Sequence, residues 1–153
     1  MKKMKIFLSL FLLLVVGTTI LIYQHKNPNM SSSTNSDMIK VRIGNSKKFT
    51  RDEINDAVYT VKEKFNFKGC KLTDIWYSEK EALSITEGYM QAGKGMDNGV
   101  KEKNVIVLLS TFKVDSSGGD GSWEPNSTQD SYSWTLIRDS KQGKWRIDDS
   151  GYN

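Results

Sequence analysis

Aromatic side chains and one carboxylate fall in segments that favour β-strands, and they are the residues of this sequence best suited to line a binding pocket. Such pockets are mostly apolar, with a few polar groups that converge on the ligand. The candidate lining is Trp76, Tyr77, Trp134, Trp145 and Asp149, and Tyr132, Tyr152 and Asp74 could extend it. Alternation along a strand buries every second aromatic residue in a core anyway, so a structural role is the favoured interpretation and the pocket is the alternative.

The segment 115–121 has the oxygen-rich, glycine-rich composition of a calcium loop. Hard cations prefer carboxylate, hydroxyl and backbone oxygens held in a tight turn. The charged ligands would be Asp115 and Asp120, with Glu124 or Asp130 as further ligands. The spacing departs from that of an EF-hand, because Asn126 occupies the position where a bidentate glutamate belongs. A surface loop without a metal is therefore the favoured interpretation, and no cofactor is predicted.

The sequence contains one histidine, His25, and one cysteine, Cys70. Because His25 precedes the predicted domain, that domain has no imidazole for a Ser-His-Asp or Cys-His nucleophile or for the common zinc sites. A single cysteine excludes an intramolecular disulfide, and Cys70 is expected to act as a small buried apolar residue. Acid–base catalysis would need carboxylates, for which Asp148 and Asp149 are the first candidates. The sequence favours a protein that is not an enzyme.

The net charge of +4 comes from four lysines near the N-terminus, at positions 2, 3, 5 and 26. The rest of the chain carries equal numbers of basic and acidic residues. Domains that bind nucleic acid normally show a basic excess, because neutralising phosphates supplies most of their affinity. Nucleic acid is therefore not predicted as a partner.

An uncharged, apolar run occupies residues 6–23, directly after the first lysines. As a helix it would span about 27 Å, close to the thickness of the bilayer core. The bulky residues at 20–25 disfavour a signal-peptidase site, so an uncleaved transmembrane signal anchor is predicted, with a cleaved signal peptide as the alternative. The flanking lysines place residues 1–5 in the cytoplasm. The predicted localisation is the cell membrane, with a single pass and the C-terminal domain outside.

Residues 24–38 are polar and rich in serine and asparagine, which is typical of a flexible extracytoplasmic linker. Residues 39–153 form a single predicted domain. Thr50 and Glu53 have the spacing of a capping box, which predicts a helix to about residue 65. Predicted after it are strands at 70–77, 105–114, 132–138 and 144–147, and a weaker helix at 78–90. Early helices followed by consecutive strands favour an α+β fold, in which a curved antiparallel sheet packs on one long helix.

The last predicted strand, with one residue before it and two after it, has the sequence GKWRIDD at 143–149. A long helix, antiparallel strands and such a final strand resemble the cystatin-like cone of the nuclear-transport-factor-two-like superfamily. The segments 49–65, 69–73, 75–77, 104–108, 114–122 and 145–152 are similar to a group of small uncharacterised exported proteins of Gram-positive bacteria. The resemblance covers about residues 49–152. It implies the cone and an exported, membrane-anchored domain, but no single activity, because members of the superfamily include isomerases, dehydratases, peptidoglycan-associated modules and conjugation scaffolds.

The function that these observations favour is a non-catalytic binding or scaffold module at the cell envelope. Its partners would be the membrane, through residues 6–23, and an envelope protein or a cell-wall ligand. Two alternatives stay open. One is a carboxylate-dependent enzyme with a pocket inside the cone, and the other is a structural subunit of an envelope complex.

Overall fold

The computed structural model describes residues 38–152. The predicted anchor and residues 24–37 of the predicted linker lie outside this range. One five-stranded sheet follows the order of the chain. Its strands are β1 (Lys40–Ile43), β2 (Cys70–Tyr77), β3 (Val105–Val114), β4 (Thr128–Ile137) and β5 (Arg146–Gly151). The helices are α1 (Arg51–Lys64), α2 (Glu79–Ala92), α3 (Lys94–Asn98) and α4 (Gly118–Gly121), and a 3-10 turn lies at Glu102–Asn104. Between Met38 and Tyr152, no helix combines the length and hydrophobicity that crossing a bilayer requires.

The predicted α+β class is confirmed, and the prediction of an antiparallel sheet is right for β2 to β5. The alternation of apolar and basic residues at 39–43 predicts a short strand or an extended lead-in, and this segment forms β1, which does not follow the antiparallel pattern. It pairs with β2 in parallel, from Lys40 opposite Asp74 to Ile43 opposite Tyr77. The reason is the connection between the two strands. Because α1 crosses over from the end of β1 to the start of β2, the second strand returns in the same direction as the first.

The capping box at the start of α1 is confirmed. The Thr50 hydroxyl accepts a hydrogen bond from the Glu53 backbone N–H at 3.2 Å, and the Glu53 carboxylate accepts one from the Thr50 N–H at 2.8 Å. These two bonds satisfy donors that the first turn of a helix otherwise leaves unpaired. The buried stripe of the helix is Ile54, Ala57, Val58 and Val61. With this stripe α1 packs on β2, β3 and β5.

The second helix is stronger than its sequence indicates, because α2 has 14 residues, as many as α1. Its buried positions are Ala82, Thr86 and Tyr89. Because Thr86 is polar, the apolar stripe of this helix looks interrupted in the sequence. The Thr86 hydroxyl donates to the Ala82 carbonyl at 2.7 Å, so that this polar side chain is satisfied within the helix and can be buried. Gly93 and Gly95 predict a loop at 91–98, and this prediction is wrong in part, since α2 continues to Ala92 and α3 follows.

Six rings fill the core between α1 and the sheet where β3 ends and β4 begins. This aromatic cluster consists of Phe65, Phe67, Phe112, Trp123, Tyr132 and Trp134. Within it, Trp134 is 3% exposed, stacks on Phe67 at 5.5 Å between ring centroids, and donates from Nε1 to the buried Ser110 hydroxyl at 2.8 Å. Side chains, not open space, occupy this half of the interior.

The predicted C-terminal hairpin is present as β4 and β5, with shifted ends. The composition of residues 115–130, rich in Gly, Ser and Asp, predicts a loop, but β4 begins within it at Thr128, and β5 continues to Gly151. The turn between the strands includes a hydrogen bond from the Gly143 N–H to the Ser140 carbonyl at 2.9 Å. This turn forms one side of the site described next.

Candidate functional site

A cleft of about 700 Å³ opens beside the turn from β4 to β5. Its volume lies in the range of about 300–1,000 Å³ that is usual for small-molecule sites. Three segments line it: the chain before and at the start of α1, the chain from the end of α3 through the 3-10 turn, and the β4–β5 turn. The charged lining residues are Lys48, Glu53, Lys101, Lys103, Arg138, Asp139, Lys141 and Arg146. We refer to this site as the basic cleft.

Short-range hydrogen bonds position the segment before α1. The Ser46 hydroxyl accepts from the backbone N–H groups of Lys48 and Phe49 at 3.1 and 3.0 Å, which turns the chain toward the helix. The Lys48 ammonium then reaches the Glu102 carboxylate at 2.5 Å. This ion pair connects the first segment of the lining to the 3-10 turn.

Asn104 joins the second segment to the third. Its carbonyl accepts from the Arg138 backbone N–H at 3.0 Å, and its side-chain amide donates to the Asp139 carbonyl at 3.3 Å. Gly99, which ends α3 at a φ of 65°, takes the left-handed conformation that glycine adopts without steric cost. The contacts of Asn104 therefore hold the second and third segments together without the help of Lys101, Lys103 or Lys141.

The lining carries six cations and two carboxylates. Both carboxylates are neutralised by neighbours, because Arg138 binds Glu53 at 2.6 Å and Arg146 binds Asp139 at 2.8 Å. Among residues 38–152, no carboxylate lies within ion-pair distance of Lys101, Lys103 or Lys141. All three lysines are exposed. The basic cleft thus has a net positive charge without a counter-ion from the described part of the protein.

Arg138 is the buried cation of the basic cleft, with 4% of its surface exposed. Its guanidinium carbon lies 4.3 Å from the centre of the Trp145 ring, and Nη2 donates to the Glu53 carboxylate. Its Nε has no hydrogen-bond partner among the described residues. A buried donor without a partner costs about 1–3 kcal/mol, so the burial of this side chain is tolerated only because Glu53 and Trp145 hold the rest of the guanidinium.

Glu53 holds this arginine in place. Partial burial alone would raise the pKa of Glu53, but hydrogen bonds from the Thr50 N–H and from Arg138 outweigh burial and hold the pKa below its usual value. The carboxylate is therefore ionised at neutral pH. Trp145 also donates from Nε1 to the Glu53 carbonyl at 2.9 Å. The start of α1, the end of β4 and the residue before β5 are fixed as one unit around the guanidinium.

The predicted aromatic residues lie in three different places. Trp134 belongs to the aromatic cluster. Tyr77 and Trp145 are both buried against the Phe49 ring, at 6.2 and 5.8 Å between centroids. Trp76 is partly exposed, lies 4.9 Å from the Arg42 guanidinium carbon and donates to the Glu81 carboxylate at 3.3 Å. None of these four residues lines the basic cleft, although Trp145 supports its arginine.

The two C-terminal carboxylates attach α2 and α3 to β5. Asp149 is exposed and accepts from the Lys94 ammonium at 3.1 Å. Asp148 accepts from the Tyr89 hydroxyl at 2.6 Å and from the Asn98 amide at 3.3 Å. Burial, together with the hydrogen bond to Asp148, raises the pKa of Tyr89 to about 12. These contacts give both carboxylates a structural role.

In the segment considered for calcium, the Asp115 carboxylate accepts from the Ser117 hydroxyl at 2.5 Å and from the Ser117 N–H at 2.8 Å. The hydrogen bond from the hydroxyl is the main reason that the pKa of Asp115 lies below its usual value. The side chain of Asp120 lies outside the described part of the structure. Over the described residues, no group of three or more Asp, Glu, His or Cys side chains is arranged to hold a metal ion.

The sequence did not indicate Arg138 or Glu53 as site residues. They are 85 positions apart, and each has an ordinary local role, as the end of a strand and as a capping residue. The available signal was the density of lysines in two short segments, at 101–103 and 141–144. Nothing in their spacing shows that the two segments meet.

The fold and the site together define a class, a small α+β domain with a basic cleft beside its C-terminal hairpin. A family model described as Domain of unknown function (DUF4829) matches residues 20–151, which include every strand and helix of the sheet domain. The chain belongs to this family. No curated protein and no solved structure matches the chain.

Proposed function

We propose that this protein is a membrane-anchored, extracytoplasmic binding module that acts without catalysis, and that it binds an anionic ligand in the basic cleft. The observation that carries the proposal is the convergence of six cations on one cleft, of which Lys101, Lys103 and Lys141 lack an ion-pair partner among the described residues, in a chain whose charges balance after residue 26. Like charges repel one another, so such a convergence lowers the stability of the folded protein. An anionic ligand removes the repulsion when it binds.

The state of Arg138 supports ligand binding. Its guanidinium is held by Glu53 on one side and by the Trp145 ring on the other, so binding does not have to order a flexible side chain. Immobilising such a chain costs about 0.5–1.5 kcal/mol when it happens only on binding. The exposed Lys101, Lys103 and Lys141 add long-range attraction, which raises the rate of encounter with an anion.

The charged groups of the cleft are better suited to binding than to acid–base chemistry. A general base works best when its pKa is near the operating pH, and the lowered pKa of Glu53 makes this carboxylate a weak base. Its proton-accepting oxygens are also engaged by Thr50 and Arg138. The carboxylates considered as an alternative catalytic pair, Asp148 and Asp149, have the structural contacts described above. An electrostatic binding site is therefore the better supported function.

For the location, the uncharged run at 6–23 supports a transmembrane anchor, and the first strand begins at Lys40, directly after the predicted linker. For the fold family, one long helix packed on a sheet that ends in consecutive antiparallel strands supports a cystatin-like cone. An anchored cone of this kind would present the cleft to ligands outside the membrane, in the cell envelope.

The test uses the full chain in a nonionic, phosphate-free detergent and a panel of anions that carry phosphate, carboxylate or sulfate groups. Binding is measured from the shift of the Arg138 Nε–H signal in NMR spectra and from the rise in melting temperature. We expect at least one anion to bind, with an affinity that falls as salt is added. The variant Lys101→Gln/Lys103→Gln/Lys141→Gln should bind more weakly. Failure of every anion to bind would refute the proposal.

The matched control is Lys62→Gln/Lys80→Gln/Lys113→Gln. It removes the same charge from three exposed lysines that do not line the basic cleft. The control should bind like the unchanged protein. Equal loss of binding in both variants would show that net charge alone, and not the cleft, attracts the anion.

A further inference from the structure

We infer that the group bound by the basic cleft is a phosphate, not a carboxylate; this inference rests on the proposed function and names its ligand class. Carboxylates are recognised best by an open guanidinium, which donates two parallel hydrogen bonds to the two oxygens. The cleft has two guanidinium groups, and each already binds a carboxylate of the protein. Arg138 donates to Glu53, and Arg146 donates to Asp139. Neither guanidinium group is therefore free to bind both oxygens of a carboxylate ligand in one plane.

The cations that remain are ammonium groups. Lys101 and Lys103 come from the chain at the 3-10 turn, and Lys141 comes from the β4–β5 turn. An ammonium group is a compact charge with three donors, and it binds phosphate without requiring a planar partner. A tetrahedral phosphate presents oxygens in several directions, so it can accept from two segments of the lining at once. A carboxylate presents two oxygens in one plane.

The positive charge of the basic cleft also favours a phosphate over a carboxylate. Three lysines of the lining lack an ion-pair partner within the described part of the chain, which leaves about three positive charges to be balanced. A phosphate monoester carries about −1.5 to −2 at neutral pH, whereas a single carboxylate carries −1.

The phosphate could belong to a soluble compound or to the headgroup of a lipid, and both sources present the same chemistry to the cleft. The first arm of the test titrates the full chain in phosphate-free detergent with glycerol 3-phosphate and, separately, with succinate. The two anions are small and both carry about two negative charges. The second arm adds phosphatidic acid to the same micelles and repeats the titrations. The signal of the Arg138 Nε–H is followed in both arms.

We expect glycerol 3-phosphate to bind at least roughly tenfold more tightly than succinate. The variant Lys101→Gln/Lys103→Gln/Lys141→Gln should weaken phosphate binding by roughly tenfold, since exposed ion pairs each contribute modestly and three are removed. The control Lys62→Gln/Lys80→Gln/Lys113→Gln should leave it unchanged. If phosphatidic acid shifts the Arg138 signal and glycerol 3-phosphate does not, the source is a lipid headgroup and the inference stands.

The outcomes separate this inference from the function on which it rests. Equal affinities for glycerol 3-phosphate and succinate, both weakened by the cleft variant, would overturn the preference for phosphate and leave an anion-binding cleft. Tighter binding of succinate would do the same. No response to either anion or to phosphatidic acid would overturn the phosphate inference, and the wider panel of anions would then decide whether the cleft binds anions at all.

Discussion

The two ends of the β3–β4 ladder differ in what fills the space beside them. Where Phe112 pairs with Gln129, six rings pack together as the aromatic cluster. Where Val105 pairs with Ile137, the chain continues into Arg138 and the basic cleft. The first end is closed by rings that pack on one another, and the second is open and lined by an excess of positive charge. We therefore expect the fold to depend on the first end, and the second end is where we propose that a ligand binds.

The largest effect should come from the closed end. Trp134→Ala removes a ring that is stacked on Phe67, and it leaves the buried Ser110 hydroxyl without its donor. We expect the free energy of unfolding to fall by about 3–5 kcal/mol, as for other large-to-small changes in a core. Denaturant unfolding followed by circular dichroism measures this. Trp76→Ala is the control, because Trp76 is partly exposed, and it should cost clearly less. A Trp134→Ala protein that is as stable as the unchanged protein but no longer binds the ligand would show that Trp134 belongs to the binding site and not to the core.

The second largest effect on stability should come from the ion pair that supports the open end. Glu53→Ala leaves the Arg138 guanidinium buried without its carboxylate and also opens the capping box. Breaking one partner of a buried ion pair costs on the order of 3 kcal/mol. The same unfolding measurement tests it. The matched control is Glu102→Ala, which breaks the exposed pair with Lys48 and should cost less than about 1 kcal/mol. Similar losses in the two variants would mean that the burial of Arg138 carries no special cost.

The pH dependence of stability should follow from Glu53. Its pKa is lower in the folded protein than its usual value of 4.5, so the unfolded state takes up the proton more readily. The stabilisation that it contributes is therefore fully present above about pH 4.5 and is lost as the pH falls through the lower, folded pKa. Unfolding free energies between pH 7 and pH 3 should fall less steeply for Glu53→Gln. Parallel curves for the two proteins would exclude Glu53 as the titrating group.

The smallest effect on stability should come from the lysines of the open end. Lys101→Gln/Lys103→Gln/Lys141→Gln changes three exposed side chains without ion-pair partners among residues 38–152. We expect a change within about 0.5 kcal/mol, or a slight gain in stability because repulsion is relieved. Thermal unfolding in low salt measures it. A loss of several kcal/mol would show that these lysines hold the cleft together and would undercut their use as binding probes.

The features that the sequence predicted correctly are those set by neighbours in the chain. Thr50 and Glu53 are three positions apart, and the capping box between them forms as expected. The strands and the α+β class also follow from local apolar patterns. The parallel pairing of β1 did not follow from them, because it depends on where the crossover helix α1 packs. The full length of α2 was missed because Thr86 is polar by type and buried only through its bond to the Ala82 carbonyl.

By itself, the sequence determined the class of the fold and the residue types available for chemistry, because both depend on composition and on interactions over a few residues. Its balanced charge did not indicate a basic site. Only the tertiary structure decided that cations from three segments meet in one cleft, and that Glu53 and Trp145 hold Arg138 beneath them. The net charge of a chain does not say where its charges lie in space. An electrostatic site depends on where they lie, because the interaction between charges falls with distance and is screened by salt.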